Sequence, residues 1–174
     1  MPLTLIVVIA IAIGMVRHFH IKNFHCLVPG VLYTSGQPRG MDYTRLMYKY
    51  HITTFINVRQ SNEHRERNWY NEERTWMSEN GAHYLELPIS RKDRKRQFPN
   101  KKTQHEFLEL MKNKEKLPVL IHGSSGKKRV SMLAAAWLIK SQNYSVEKTV
   151  KIVEKIRENS LTEIEKQFIQ ELAK

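Results

Sequence analysis

A chain of 174 residues is about one domain's length, and with 41% apolar residues it can bury a core. Lys and Arg number 29 against 17 Asp and Glu, a net charge of +12. That favours anionic partners such as phosphorylated molecules, nucleic acid or an acidic membrane face, although a solvated basic surface would give the same sum. The single cysteine, Cys26, excludes an internal disulfide framework.

Leu3 to Val16 carries no charge. As a helix it would span about 21 Å, short of the roughly 30 Å hydrocarbon core, which suits a marginal anchor or the apolar part of a signal peptide. Met1 to Thr4 lacks the basic start of a secretory signal, while Arg17 and Lys22 follow the apolar run. Charge on that side favours an anchor with the domain in the cytoplasm; export, periplasmic anchoring and a buried core helix are the alternatives. We therefore divide the chain into an anchor or signal-like segment over 1–22 and a domain over 23–174. His18, His20, His25 and Cys26 have no second paired half, so no metal site is expected.

The remainder alternates strands and helices. Val31–Thr34 reads as a strand, followed by the turn Ser35-Gly36-Gln37-Pro38. Asp42 is a candidate cap for a helix carrying Leu46, Met47 and Tyr50. Thr53–Val58 is β-branched and aromatic, hence a buried strand. A charged helical segment follows, with Trp69 and Trp76 as its expected core contacts. Ala82–Leu87 is the next strand, ended by Pro88. A basic loop leads to a helix over about Thr103–Lys114, then a strand over Pro118–His122 and a helix over about Gly126–Gln142. Val146, Val150, Val153 and Ile156 form one helical stripe. Thr162-x-x-Glu165 is a capping box for a last helix with Ile164, Phe168 and Leu172 inside. The alternation predicts an α/β fold with a mostly parallel central sheet flanked by helices.

The stretch "VLIHGSSGKKRVSMLAAAWLI", from Val119 to Ile139, carries the chemistry. Ligands of α/β folds bind beyond the carboxyl ends of strands, and His122 ends one. The turn at 123–129 leads into a helix whose N-terminal N–H groups and dipole face that gap. Gly126 permits a backbone geometry other residues resist, and Arg129 is able to fork onto two phosphate oxygens. A nucleotide P-loop fits poorly: two residues, not four, separate Gly123 from Gly126, and Lys128, not a hydroxyl, follows Lys127.

His122-Gly123-Ser124-Ser125-Gly126-Lys127-Lys128-Arg129 resembles the signature loop of the protein-tyrosine and dual-specificity phosphatase superfamily, H-C-x-x-G-x-x-R followed by Ser or Thr. "VLYTSGQP" at 31–38, "TTFINVR" at 53–59 and "YLELPIS" at 84–90 resemble other strands of small bacterial and fungal-type members, so the likeness covers about residues 28–174. It implies phosphomonoester hydrolysis through a cysteinyl-phosphate, without a cofactor. It places the nucleophile position at Gly123 and the phosphate-binding N–H groups on Ser124, Ser125, Gly126, Lys127, Lys128 and Arg129. Arg129 would also stabilise the transition state, and Asp93 is the candidate general acid.

The departures matter. Glycine has no side chain, so the covalent intermediate cannot form. Val130 stands where the family has a hydroxyl, with Ser131 one residue late. The chain is therefore expected to be inactive as written, either a natural pseudophosphatase or a variant with its cysteine deliberately replaced. Residues 91–102, "RKDRKRQFPNKK", hold seven Lys or Arg and one Asp. They favour a multiply charged ligand: an inositol phosphate, a phosphoinositide or an acidic phosphoprotein. The same run would also suit anionic lipid. A basic nucleic-acid-binding module is the alternative, with no recognised motif behind it.

Overall fold

In the computed structural model, which describes Leu5, residues 20–93 and residues 96–174, five short strands form one sheet in the order β1-β2-β5-β3-β4. They are β1 (His25–Val28), β2 (Leu32–Ser35), β3 (Thr54–Asn57), β4 (His83–Glu86) and β5 (Val119–His122). Every pairing is parallel except β1 with β2. The mostly parallel sheet matches the expectation. The edge strand β1 does not appear in the sequence reading: "HCLV" is too short to show alternation, and it folds back on β2 through a turn where Gly30 has φ 71°. The apolar segment and the anchor reading lie, apart from Leu5, outside the described residues. Among the described residues no helix is long and apolar enough to cross a membrane.

Among the residues from 20 onward that are described, six α-helices accompany the sheet: α1 (Met41–Tyr50), α2 (Asn68–Glu79), α3 (Lys101–Lys112), α4 (Lys128–Lys140), α5 (Val146–Arg157) and α6 (Glu163–Leu172). Alternation along the strands divides the core in two. Tyr33, Phe55 and Leu120 face α1 and α2, packing on Tyr43, Leu46 and Met77. Leu32, Ile56, Val119 and Ile121 face α3 and α4, packing on Phe107, Met111, Leu133 and Trp137. α4 is buried from Arg129 to Ile139 because α5 and α6 cover its far side through Val153, Ile169 and Leu172. Each such side chain contributes about 1.5–3 kcal/mol by leaving water. This packing fixes the start of α4, where the signature loop ends.

Three local expectations are corrected. Asp42 does not cap α1: Gly40 holds the cap position, and the Asp42 carboxylate reaches back to accept from the Arg39 N–H at 3.1 Å. Trp76 does pack on the core, stacking on Tyr43 at 5.5 Å, but Trp69 lies half-buried outside it against His64 and Tyr70, and the inward face of α2 is Tyr70, Glu73 and Met77. The Thr162–Glu165 capping box forms, but α6 turns Glu165, Ile169 and Leu172 inward, leaving Ile164 and Phe168 half-buried. Glu165 tolerates burial because Lys128 (2.8 Å) and Arg157 both pair with it.

Candidate active site

The loop from His122 to Arg129 leaves the end of β5, crosses the turn after β2 and enters α4. Gly126 sits at φ 71°, and a Cβ there would fall 2.2 Å from Gly36 N and 2.3 Å from Ser35 C. Only glycine allows the two backbones to approach this closely. From the other side the loop is strapped by the residues that precede β1. Lys22 Nζ donates to Ser124 O at 3.2 Å, and Asn23 Nδ2 donates to Ser125 O at 2.5 Å. The strap is itself anchored, since Gly36 N donates to Lys22 O at 2.7 Å and Ile21 is buried in the core.

Two of the loop's carbonyls, those of Ser124 and Ser125, are thus engaged by the strap, and residues 123–130 line a pocket of about 490 Å³ together with Val58, Arg91 and Gln97. Among the described residues, no protein acceptor takes the backbone N–H of Ser124, Ser125, Gly126, Lys127 or Arg129. N–H groups without a protein acceptor at a helix N-terminus are an arrangement suited to holding an anion.

Arg129 is 7% exposed. Its Nη1 donates to Glu63 Oε1 at 2.6 Å and its Nη2 to Glu63 Oε2 at 3.0 Å, with Val58 O and Ile89 O also near Nη1. The terminal edge of the guanidinium is thus fixed by protein, and the edge bearing Nε remains for a ligand. Burial raises the Glu63 carboxyl, but hydrogen bonds from Arg129 and Gln60 outweigh that and hold it below its ordinary value. The two lysine side chains turn outward, Lys127 to Glu158 at 2.6 Å and Lys128 to Glu165 at 2.8 Å. What they offer the pocket is backbone.

Gly123 is buried at the base of the pocket. A Cβ there would meet Val58 Cγ2 at 3.1 Å and Val130 Cγ2 at 3.5 Å, so a side chain fits if Val58 yields by a few tenths of an ångström. Ser131 does not replace the hydroxyl missing at Val130, because its Oγ donates to Lys128 O at 3.0 Å. Ser124 and Ser125 are exposed. Asp93 is exposed, in the loop between the pocket-lining residues Arg91 and Gln97.

Beneath the loop lies a buried polar cluster that sequence reasoning missed. Glu73, fully buried on α2, accepts from Gln37 Nε2 (2.9 Å), Tyr43 OH (3.1 Å) and Tyr84 OH (3.1 Å), and lies 3.4 Å from His122 Nε2. Burial pushes the Glu73 carboxyl up to about 7. Burial, with help from Arg59 and His64, pushes the His122 imidazole down to about 3 and keeps it neutral. The cluster ties β5, the turn after β2 and α2 together under the loop. Its sequence signal was an acid on the apolar stripe Tyr70-x-x-Glu73-x-x-x-Met77. The signal for Glu63 was the capping box Gln60-x-x-Glu63, which the structure contains.

A family model described as dual specificity phosphatase, catalytic domain, matches residues 32–174. A comparison with curated proteins finds no match. Among solved structures, the core catalytic domain of the PP-IP phosphatase SIW14 from S. cerevisiae, in complex with citrate, is similar with a TM-score of 0.70 and 20% identity, over 86% of this chain and 85% of that one. PTPMT1 in complex with PI(5)P gives 0.67 and 22%, over 86% and 96%. TpbA from P. aeruginosa gives 0.60 and 18%, over 87% and 89%. At these identities the likenesses establish the fold.

Proposed function

The chain belongs to the dual specificity phosphatase catalytic-domain family, and from that premise we propose that its loop 122–129 captures the phosphoryl group of a phosphorylated ligand without hydrolysing it. The observation that carries this reading is the pairing of a complete oxyanion cradle with glycine at its base. The N–H groups and the Nε edge of Arg129 hold the phosphoryl oxygens, while Gly123 supplies no atom to attack phosphorus. A thiolate at that position would repel a phosphate dianion, so its absence favours binding. The extra glycine loosens the loop by about 0.5–1 kcal/mol and opposes that gain. In the parent reaction Asp93 is the acid for the departing oxygen.

The ligand class is a multiply charged phosphate: an inositol phosphate, a phosphoinositide or a phosphoprotein. Support comes from the basic run at 91–102 and from two fold relatives, a PP-IP phosphatase and a protein bound to PI(5)P. No observation favours the nucleic-acid alternative. Ile21 and Lys22 belong to the folded domain, so we take only the apolar run Leu3–Val16 as an anchor, with the domain on the cytoplasmic side; flotation with vesicles that depends on residues 1–19 supports it, and equal flotation without them rejects it.

The test of the site is vanadate binding to the parent chain and to the double variant Arg129→Ala/Glu63→Gln, which removes the fork without stranding a buried carboxylate. Loss of vanadate affinity in a folded double variant is expected. Equal affinity in the two proteins rejects the site.

A further inference from the structure

A second cavity of about 450 Å³ adjoins the cradle and shares Ser124 with it. Lys22, Gln37, Arg39, Gly40, Met41 and Asp42 complete its lining. Its charges are two cations and one carboxylate. The carboxylate is already engaged, with Asp42 Oδ2 accepting from Arg39 N–H at 3.1 Å and Oδ1 lying 3.4 Å from Arg45 Nη1. Arg39 is exposed, and among the described residues no carboxylate pairs with its guanidinium. Lys22 uses one ammonium hydrogen on Ser124 O, so its charge stands on the ridge between the two cavities with two donors to spare. Lys22 also lies before residue 32, where the family match begins, so this cation belongs to the chain's own strap.

From this geometry we propose that the second cavity is an anion subsite, formed by Lys22 and Arg39, for a second phosphoryl group of the ligand whose first phosphoryl group sits in the cradle. The inference rests on the cradle reading above. It narrows the ligand to a compact polyol phosphate with at least two phosphoryl groups on neighbouring positions, either free or as a lipid headgroup. A monophosphate fills the cradle and leaves the subsite unused.

The test uses the full chain and the variants Lys22→Met, Arg39→Ala and Arg129→Ala/Glu63→Gln. Lys22→Met keeps the aliphatic stem that packs near Gly36 and removes only the ammonium. Affinities are measured for vanadate and for inositol hexakisphosphate. Binding is also measured to phosphatidylcholine vesicles with and without phosphatidylinositol bisphosphate. Arg39→Ala should weaken hexakisphosphate binding by about tenfold, as loss of a charge-assisted contact gives, and leave vanadate within twofold; Lys22→Met, which also removes the strap to Ser124 O, should weaken hexakisphosphate about tenfold more than it weakens vanadate. A loss confined to bisphosphate-dependent vesicle binding assigns the subsite to a lipid headgroup, and a loss confined to the soluble probe assigns it to a free polyphosphate. Unchanged binding of both polyphosphate probes overturns the subsite, while the cradle reading survives if the Arg129 double variant still loses vanadate. If the Arg129 double variant keeps vanadate, the cradle reading fails, and the subsite fails with it.

Discussion

Glu73 offers a test of the buried cluster through pH. The perturbation is Glu73→Gln, which keeps the shape and can accept from Gln37 and Tyr43 through its oxygen while donating to Tyr84. In the folded chain the Glu73 carboxyl is raised from 4.5 to about 7. The native state therefore holds a proton that the unfolded state has released between those values, and stability falls as pH rises from 4.5 to 7. At 1.36 kcal/mol per unit the loss amounts to about 3 kcal/mol. His122 acts with the opposite sign. Its pKa is lowered from 6.5 to about 3, so its contribution is lost as pH falls below 6.5. The two slopes oppose each other between pH 4.5 and 6.5, which flattens the wild-type profile. Urea unfolding of both proteins from pH 4.5 to 8 separates them. The stability of Glu73→Gln relative to wild type should climb by about 3 kcal/mol across the range, reaching its plateau just above pH 7. A difference that stays level with pH would refute the argument that burial sets this carboxyl.

Two further outcomes follow from the loop. Gly126→Ala forces a Cβ into the Ser35–Gly36 backbone at positive φ; it should lower stability by about 2 kcal/mol or more and abolish vanadate binding, and unchanged unfolding and binding would mean the loop does not pack on that turn. In a background with cysteine at 123, Asp93→Asn should slow hydrolysis most for poor leaving groups, because those need a proton at the departing oxygen. A small, uniform slowing would assign the acid elsewhere.

The parts of the fold legible in the sequence were those with a strong local period. Thr54–Ile56 and Val119–Ile121 are continuous apolar or β-branched runs because parallel central strands are covered on both faces. The turn after β5 and the place of Arg129 at the start of α4 were legible because an apolar strand, a Gly-Ser turn and an apolar helix follow one another there. The partners that hold that loop and its arginine were not. Glu63 reaches Arg129 across 66 residues, and Lys22 and Asn23 reach the loop carbonyls across 102. Such pairings follow from strand order, which no local pattern states. Glu73 drew no notice in the sequence and Glu165 was read only as half of a capping box, since carboxylates are rarely buried. Both sit inside because the chain supplies donors to them there, two tyrosines and Gln37 to one and two cations to the other.

The central claim is that the site is a phosphatase cradle lacking one reacting atom. Gly123→Cys tests it most directly. The new Cβ needs only a small yield from Val58, and the thiol would lie among free N–H donors near Arg129, conditions that lower a thiol's pKa. We measure hydrolysis of a small aryl phosphate, with vanadate as inhibitor, under single-turnover and steady-state conditions. The account predicts background rates for the Gly123 chain. For Gly123→Cys it predicts a vanadate-sensitive burst, followed by slow turnover because Val130 supplies no hydroxyl to assist release. Equal activity in the two proteins, or a folded Gly123→Cys protein with neither burst nor turnover, would contradict it.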